Sequence, residues 1–304
     1  MTDITLHSTA QVLTLNERLK AFVELLKLRL SFLVAFSSGF GYALGATNFS
    51  WITLMWLFLG GLLVSGASVT INQIIEKDLD KLMKRTKGRP LPTNRITVAE
   101  ATVFTLVIGF LGLTILALTT NWLTVSLSVL SLVLYSFVYT PLKRVGPIAV
   151  FVGAIPGALP PLLGWVAATG HISVAALVIF GLQFIWQFPH FWAIAWVADE
   201  DYKKAGFKLL PAGGKKDMNT AFQIMIYTLV LLPIGILPSE FGITGMYSAF
   251  VVTLCGALFF SQTFYLMKQC ISGEESAYKA ARSIMFGSFL YLPIVQITLI
   301  LDKV

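Results

Sequence analysis

The sequence predicts an all-α, polytopic membrane protein with about nine transmembrane helices. Of its 304 residues, 56% are hydrophobic and only 12% are charged, about half the charged fraction of an average soluble domain. Apolar stretches of about 20 residues recur along the chain, and each is long enough to cross a bilayer core of roughly 30 Å as a helix. The charged residues collect between these stretches. This composition excludes an ordinary soluble enzyme, because so much apolar surface needs lipid around it.

Each predicted span is bounded by polar or turn-forming residues and carries few charges. A helix satisfies its own backbone hydrogen bonds, which a segment within lipid requires. The predicted spans are 29–47, 51–73, 98–118, 121–140, 147–168, 173–197, 219–238, 244–267 and 283–301. We interpret residues 1–28 as a cytosolic or interfacial N-terminal segment, and residues 29–304 as a single transmembrane domain.

The N-terminal segment predicts an amphipathic helix that leads into the first span. Leu19, Phe22, Val23 and Leu26 recur at helical spacing and form one apolar stripe. Such a helix suits the membrane interface, and it equally suits packing against cytosolic loops. The spacing alone leaves both interpretations open.

The basic residues divide the connections into two kinds. Connections 48–50, 119–120, 169–172 and 239–243 contain no Lys or Arg. The others, together with the segment up to the start of the first span, hold 21 of the 22 Lys and Arg residues, and only Lys303 remains. This bias places the basic connections and the N-terminus in the cytosol and, with nine spans, the C-terminus outside the cell (inner or plasma) membrane. The net charge of +7 follows from this asymmetry, so it predicts no nucleic-acid partner.

The second span ends in a run of charges of both signs. Residues four apart share a helix face, so Asn72, Glu76 and Asp80 form one stripe that reaches the cytosolic edge, whereas Asp78 points elsewhere. Two carboxylates and an amide oxygen are ligands of the kind that Mg²⁺ takes together with substrate phosphates. The stripe therefore predicts a metal and catalytic site at the edge of the membrane.

Basic side chains surround this stripe and favour a diphosphate site, because they can neutralise phosphate oxygens. They are Arg85, Lys87, Arg89, Lys143 and Arg144. The simpler alternative is a salt-bridged helix end, in which Glu76 and Asp80 pair with lysines of their own segment. Asn72 favours the functional interpretation, since an amide embedded in the membrane needs a partner.

A second polar stripe lies in the span 173–197. Gln183, Gln187 and His190 fall at positions i, i+4 and i+7, and Asp201 returns to the same face if the helix continues. The stripe predicts a substrate cavity in which the imidazole acts as a base, a proton relay or a metal ligand. A hydrogen-bonded structural histidine is the alternative.

The fifth span, 147–168, is rich in Gly and Pro. Close helix packing with kinks explains this composition. A broken helix that lines a cavity for a bulky substrate is the alternative.

Four motifs resemble those of the UbiA superfamily of intramembrane prenyltransferases, and most closely its haem O synthases, or protohaem IX farnesyltransferases. They are NQIIEKDLDKLMKRTKGRPL from Asn72, YTPLKR from Tyr139, GAIPGALPPLLGW from Gly153 and WQFPHFWAIAWVADEDYKKAG from Trp186. The first resembles the Asn-x-x-x-Asp-x-x-x-Asp motif of that family, with Glu76 in place of an aspartate. His190 stands about where relatives begin a second aspartate-rich motif, which leaves Asp199 and Asp201 further along.

The resemblance implies a UbiA-type helical bundle that transfers a farnesyl group from farnesyl diphosphate to a vinyl group of haem B and makes haem O for haem-copper oxidases. It implies Mg²⁺ on Asn72, Glu76 and Asp80, diphosphate on the basic residues, and porphyrin handling by His190. The implied surroundings are the lipid bilayer and a downstream haem A synthase. The nearest alternative is a UbiA-type enzyme with a quinone or aromatic acceptor. A secondary transporter is the alternative from another class, but transporter sites lie near the midplane.

Overall fold

The computed structural model describes residues 14–304, and in that range the chain is helical and contains no β-strand. The helices are α1 Leu15–Leu25, α2 Leu28–Gly45, α3 Trp51–Ile75, α4 Lys77–Asp80, α5 Val98–Thr119, α6 Trp122–Val133, α7 Thr140–Leu142, α8 Ile148–Thr169, α9 Val174–Val197, α10 Asp199–Lys204, α11 Pro211–Gly214, α12 Met218–Glu240, α13 Met246–Ser272 and α14 Glu274–Leu301. A π-helical turn, Leu134–Tyr139, joins α6 to α7. Residues 1–13 of the predicted N-terminal segment lie outside the described residues.

Among residues 14–304, nine helical segments are long and apolar enough to cross a membrane, which confirms the predicted number. They are α2, α3, α5, α6 continued through α7, α8, α9, α12, α13 and α14. The largest difference concerns α14, which begins at Glu274, nine residues before its predicted start. Its first turns carry an ion pair, Lys279 to Glu275 at 2.7 Å, and an apolar pattern does not register such a charged extension.

Short polar side chains begin several of these helices. The side chains of Ser50, Asn121, Ser173 and Asp217 each accept the N–H group of the third residue of the helix that follows. Each contact satisfies a backbone donor that has no partner inside the helix. These caps fix where the four helices start, which is why the predicted starts of these spans are close to the observed ones.

The glycines of α8 serve close packing. A Cβ atom on Gly164 would lie 1.8 Å from the carbonyl oxygen of Ser38, and one on Gly41 would lie 1.9 Å from that of Pro161. The backbones of α2 and α8 therefore touch, as small residues allow in membrane helices. The helix runs unbroken through its three internal prolines, so the close-packing interpretation is correct and the broken-helix alternative is wrong.

Helix α1 has two apolar faces. Ala21 and Leu25 are buried against neighbouring elements, whereas Leu15, Leu19 and Val23 are exposed. The first face fits the predicted packing against loops. The second face leaves the predicted contact with the membrane interface open, and that contact stays a prediction.

One end of the bundle carries the long connections 76–97, 143–147 and 198–217, and is called the basic end below. Helix α9, which leads into the last of these connections, packs against α8, α12 and α14. Helix α3, which leads into the first, packs against α5 and α2. The two chemically distinctive connections are thus held by different parts of the bundle and meet at this end.

Candidate active site

The acidic stripe survives a break in its helix. Helix α3 ends at Ile75, and Glu76 (φ −93°, ψ 8°) joins it to α4. Hydrogen bonds four residues apart continue across the break, since Glu76 N donates to Asn72 O at 2.9 Å and Asp80 N donates to Glu76 O at 2.8 Å. The three polar side chains consequently keep one face. All three are buried, with at most 3% of each residue exposed.

Both buried carboxylates pair with cations from outside their own helix turn. Lys143 Nζ lies 2.7 Å from Glu76 Oε1, and Arg89 Nη1 lies 2.7 Å from Asp80 Oδ2. The exposed Asp78 pairs instead with Lys81 at 2.7 Å. The salt-bridged helix end is therefore the wrong interpretation for Glu76 and Asp80, and the predicted orientation of Asp78 is confirmed. Removing one partner of such a buried pair typically costs about 3–5 kcal/mol.

The π-helical turn positions the third member of the stripe. Thr140 Oγ1 donates to Tyr135 O at 2.8 Å, five residues back along the widened turn, and Asn72 Nδ2 donates to Thr140 Oγ1 at 3.1 Å. Such turns often occur at functional sites because they change the direction of a few side chains. Within this turn the ring centroids of Tyr135 and Tyr139 also lie 5.4 Å apart.

These groups surround a pocket of about 150 Å³ at the basic end. Its lining residues are Lys27, Asn72, Glu76, Asp80, Met83, Arg85, Thr86, Arg89, Tyr135, Tyr139, Lys143, Tyr202, Phe207 and Leu209. The lining contains four cations against two carboxylates, a formal excess of two positive charges. A pocket with such an excess of positive charge favours an anion.

The pKa values of two lining lysines reflect burial first and the neighbouring charges second. Burial, followed by the repulsion of Arg89 and Lys143, lowers the pKa of Lys27 to about 7. Burial also lowers the pKa of Lys143, although the Glu76 carboxylate acts in the opposite direction. Both lysines are therefore costly to charge where they lie, and a bound anion would offset that cost.

The donor set fits Mg²⁺ of the substrate-bridging kind. Asp80 Oδ1 is buried and makes no hydrogen bond within the described residues. In that same range no three His, Cys, Asp or Glu side chains are grouped as a metal site. Two carboxylates and the amide of Asn72 do not make a closed protein cage, but they suit an ion that completes its shell with water and substrate phosphate.

The structure brings three of the five predicted diphosphate-binding residues to the pocket. Arg85, Arg89 and Lys143 line it, whereas Lys87 and Arg144 are exposed and do not. Lys87 and Arg144 each lie within two residues of a lining residue, and side chains so close along a turn point in different directions. Closeness in sequence to the acidic stripe or to Lys143 therefore did not by itself predict which basic residues line the pocket.

The second acidic motif does not line the pocket. Helix α9 ends at Val197, and Ala198 (φ −95°, ψ 9°) joins it to α10, much as Glu76 joins α3 to α4. The expected return of Asp201 to the face of Gln183 required one continuous helix and is not confirmed. The two side chains have different partners, because Gln183 bonds to Gly157 O and Gln296, whereas Asp201 accepts the N–H groups of Lys84 and Arg85. Asp199 is buried and pairs with Lys203 at 2.8 Å and, more distantly, with Lys216. Asp199 is therefore paired within its own connection, 198–217.

The polar stripe of α9 faces neighbouring helices. Gln183 Nε2 donates to Gly157 O at 2.8 Å, and Gln187 Nε2 donates to Ala154 O at 3.2 Å. The Gln183 side-chain oxygen accepts from Gln296 Nε2 at 2.8 Å. The stripe does not belong to the pocket lining, and its amides satisfy groups of α8 and α14.

His190 lies on the side of α9 that faces α14. Its Nδ1 atom is 2.8 Å from Ser288 Oγ, and its ring stacks on Trp186 with centroids 4.4 Å apart. Ser288 Oγ donates its hydrogen to Met285 O at 2.6 Å. A hydroxyl group has one hydrogen, so Nδ1 of His190 donates and its Nε2 atom keeps the free lone pair.

Several pocket residues were not predicted from the sequence. Lys27 separates α1 from α2 in a left-handed conformation (φ 44°), which the continuous amphipathic pattern concealed. Tyr139 and Phe207 place their rings 5.0 Å and 5.3 Å from the Lys143 ammonium nitrogen. Tyr139 begins the YTPLKR motif, so its position in that motif was an available signal. For Phe207 no comparable signal exists.

Within residues 14–304, nine helices long enough to cross a membrane, with a cation-rich pocket at one end, define an integral membrane protein whose pocket suits an anionic group. The chain belongs to the UbiA prenyltransferase family, which residues 33–290 match. It is 52% identical to a protoheme IX farnesyltransferase of Cytophaga hutchinsonii over 286 residues, 94% of this chain and 98% of that protein. It is 43% identical to one of Christiangramia forsetii, with 94% of both chains covered.

Solved structures share the fold. A structure of a digeranylgeranylglyceryl phosphate synthase superposes with a TM-score of 0.76 at 20% identity, over 94% of this chain and 98% of that one. A UbiA homologue from Archaeoglobus fulgidus, bound to GPP and Mg²⁺, superposes with a TM-score of 0.60 at 18% identity, over 92% and 99% of the chains. These likenesses confirm the predicted UbiA-type helical bundle.

Proposed function

We propose that this chain is a protohaem IX farnesyltransferase, which joins the farnesyl group of farnesyl diphosphate to a vinyl group of haem B and yields haem O. The relatives that carry this name match nearly the whole chain. The observation in this molecule that carries the proposal is the pocket, in which four cations outnumber two buried carboxylates. That charge balance suits a diphosphate with a divalent ion, and it does not suit a neutral or cationic substrate.

The carboxylates and the cations have different roles towards the diphosphate leaving group. Asn72, Glu76 and Asp80 would hold Mg²⁺, which when bound supplies positive charge to the diphosphate oxygens. Arg89 and Lys143 already lie 2.7 Å from Asp80 and Glu76, so they are positioned to share the negative charge that grows as the C–O bond breaks. Preorganised charge of this kind lowers the barrier because nothing needs to reorient during the reaction.

The bond changes balance without a redox step. The C–O bond of farnesyl diphosphate breaks, its electrons leave with the diphosphate, and a haem vinyl carbon forms a new C–C bond to the farnesyl carbon. Water then adds to the resulting cation and releases a proton, which leaves a hydroxyethylfarnesyl group. The faces of Tyr135 and Tyr139 line the pocket, and aromatic faces stabilise cations. Burial of the site keeps water from the allylic cation until the acceptor has reacted.

His190 is proposed to contact the porphyrin through Nε2. Ser288 fixes the proton on Nδ1, and Trp186 holds the plane of the ring. Neutral imidazole with a free Nε2 lone pair is the form that binds iron. His190 lies seven residues before the end of α9, about 10 Å deeper than the basic end at the helical rise. An apolar acceptor within the membrane and a diphosphate at its edge fit this difference in depth.

The multi-pass chain is proposed to lie in the cell membrane with the basic end in the cytosol. That end and the segment leading to it hold 21 of the 22 Lys and Arg residues, as cytosolic loops do. Nine crossings then place the end of α14 outside. Lys303 Nζ donates to Ala43 O and Ala46 O, at the opposite end of α2 from Lys27. A downstream haem A synthase is the proposed recipient of the product.

The test is product formation by the purified protein in lipid nanodiscs. With farnesyl diphosphate, haem B and Mg²⁺, mass spectrometry should detect haem O together with one diphosphate for each haem O formed. Supplying a quinone precursor or an aromatic acid instead of haem B should yield no prenylated product. Prenylation of those acceptors with no haem O would support the UbiA-type alternative, and binding without any diphosphate release would support a transporter.

A further inference from the structure

Two connections of the basic end meet at Asp201. One carboxylate oxygen accepts the backbone N–H of Lys84 and the other accepts that of Arg85, each at 3.1 Å. Within the part of the chain that the structure describes, neither N–H group donates to a backbone carbonyl outside the helices. One side chain of the 198–217 connection therefore satisfies two consecutive donors of the 76–97 connection.

The neighbouring residue extends the contact to a side chain. Arg85 Nη2 donates to the Tyr202 hydroxyl at 3.5 Å, and the guanidinium carbon lies 5.9 Å from the centre of the Tyr202 ring. Arg85 and Tyr202 line the pocket, whereas Asp201 does not. Asp201 and Tyr202 thus hold the backbone and the side chain of the same arginine.

The Asp201 carboxylate already has the partners of an ionised group. Lys204 Nζ lies 3.5 Å from Oδ1. Burial raises the pKa of Asp201, but the two backbone N–H groups and Lys204 outweigh burial and leave the pKa lowered. Each oxygen is engaged by a donor of this chain, in contrast to the unpartnered Oδ1 of Asp80. The two acidic motifs therefore differ in their capacity for a metal ion.

We propose that Asp201 is a positioning residue that latches the Lys84–Arg85 segment and holds the Arg85 guanidinium at the pocket, and that it does not ligate metal. All its contacts are made by groups of the chain itself, so the latch should need neither metal nor diphosphate. Its consequence for catalysis rests on the proposed function: a held Arg85 binds the diphosphate more tightly, so the latch acts on the KM for farnesyl diphosphate.

Hydrogen exchange of the Lys84 and Arg85 amides tests the latch directly. The full-length protein in nanodiscs is labelled in EDTA without substrate, and peptides that cover residues 83–87 are followed by mass spectrometry. Asp201→Asn replaces one acceptor oxygen by an NH₂ group, so exchange at these two amides should rise at least about tenfold. Asp78→Asn, a change at an exposed aspartate of the same connection, should leave it unchanged. Unchanged exchange in D201N, or protection that arises only with Mg²⁺ and diphosphate, would overturn the latch.

Kinetics separate positioning from metal binding. D201N should raise the KM for farnesyl diphosphate about tenfold, change kcat less than about threefold and leave the Mg²⁺ concentration for half-maximal rate unchanged. Arg85→Ala keeps the backbone N–H groups, so it should raise KM similarly yet retain the exchange protection. In the D201N/R85A double variant KM should rise no further, because both changes remove one contact. Additive effects, or a higher Mg²⁺ requirement in D201N, would contradict the proposal.

Asp201→Glu gives a second test should D201N fold poorly. It keeps both carboxylate oxygens on a longer side chain, so partial protection of the two amides and an intermediate KM are expected. Full loss of protection in a folded D201E protein would count against the latch. If no variant or wild-type protein makes haem O, the proposed function fails, while the exchange experiment still decides whether the latch exists.

Discussion

The polar stripes of α3 and α9 are built on the same helical spacing, yet they meet different surroundings. The α3 stripe continues into a connection, and its carboxylates meet Lys143 and Arg89 around an open pocket. The α9 stripe remains inside the bundle, where its amides bind backbone carbonyls of α8. Spacing thus places side chains on one face, whereas the elements packed against that face decide whether they bind a ligand or hold the fold.

The difference also concerns charge. The two carboxylates of the α3 stripe are held by cations at the pocket, so this stripe depends on charged partners. The α9 stripe is neutral, and its hydrogen bonds join α9 to α8 and α14. We expect treatments that remove metal or charge to affect the first stripe, and treatments that remove a neutral hydrogen bond to affect the second.

Removal of metal should give the largest effect. With EDTA in excess, haem O formation and diphosphate release should fall to background, because two carboxylates and an amide cannot neutralise a diphosphate leaving group. Haem binding, followed by its absorption spectrum, should persist, since the α9 stripe holds no metal-dependent group. Full haem O formation in EDTA, with no change when Mg²⁺ is added back, would contradict a metal-dependent role for the α3 stripe.

Neutralising the first stripe should be the next largest effect. Asp80→Asn and Glu76→Gln keep size and remove charge, and each should lower kcat/KM for farnesyl diphosphate by about 10³-fold, in the range seen when charge-stabilising groups are lost. Asn72→Ala should act in the same direction. Asp78→Asn is the matched control and should stay within about twofold, because Asp78 is exposed and pairs only with Lys81. Variants that insert normally and retain full haem O formation would contradict the assigned roles.

Loss of the Ser288 hydroxyl should affect the α9 stripe and leave the α3 stripe unchanged. Ser288→Ala removes the acceptor of His190 Nδ1–H, so the tautomer with a free Nε2 is no longer fixed. Haem affinity should fall about tenfold, equivalent to one hydrogen bond of about 1.4 kcal/mol, with the KM for farnesyl diphosphate unchanged.

Ser128→Ala is the control for this change, because Ser128 is also a buried membrane serine but bonds only to Thr124 O of its own helix. Ser288→Thr keeps a hydroxyl and should recover most of the affinity. If S288A binds haem as wild type does, and its absorption spectrum is unshifted, His190 does not meet the iron through Nε2.

The sequence was sufficient for the spans and for the α3 stripe, since both rest on local patterns. Apolar length and polar N-caps set the spans, and spacing of four placed Asn72, Glu76 and Asp80 on one face even though the helix breaks at Glu76. The partners of those carboxylates come from residues 9 and 67 positions away along the chain. Only the packing of α6 and the π-helical turn against α3 brings Lys143, and not a neighbouring lysine, to Glu76.

Sequence reasoning failed where the backbone changes direction. Asp201 was placed on the face of Gln183 by extending a helix that ends at Val197. Lys27 was counted only among the basic residues of the cytosolic side, because its neighbours in the sequence do not indicate a left-handed backbone conformation. Both errors occur where a single residue joins two helices, and both affect residues near the pocket. A helix pattern carries no information about such joints.

The smallest expected effect comes from Lys27, a cation of the pocket lining. Its pKa is about 7, lowered by burial and by Arg89 and Lys143, against an ordinary value of 10.5. Between these two values the unfolded chain binds more protons at this site than the folded protein does. Stability therefore rises as pH increases from about 7 towards 10, and the destabilisation is fully present below pH 7.

We therefore expect the thermal midpoint of the metal-free protein in detergent to rise by roughly 2–4 °C between pH 7 and 9, and Lys27→Met to flatten this rise. Lys87→Met, a change at an exposed lysine outside the pocket lining, should keep the wild-type profile. Inorganic diphosphate should also flatten the wild-type rise, because an anion beside Lys27 raises its pKa again. A K27M profile as steep as that of wild type would mean that Lys27 is not the group responsible for the rise in stability.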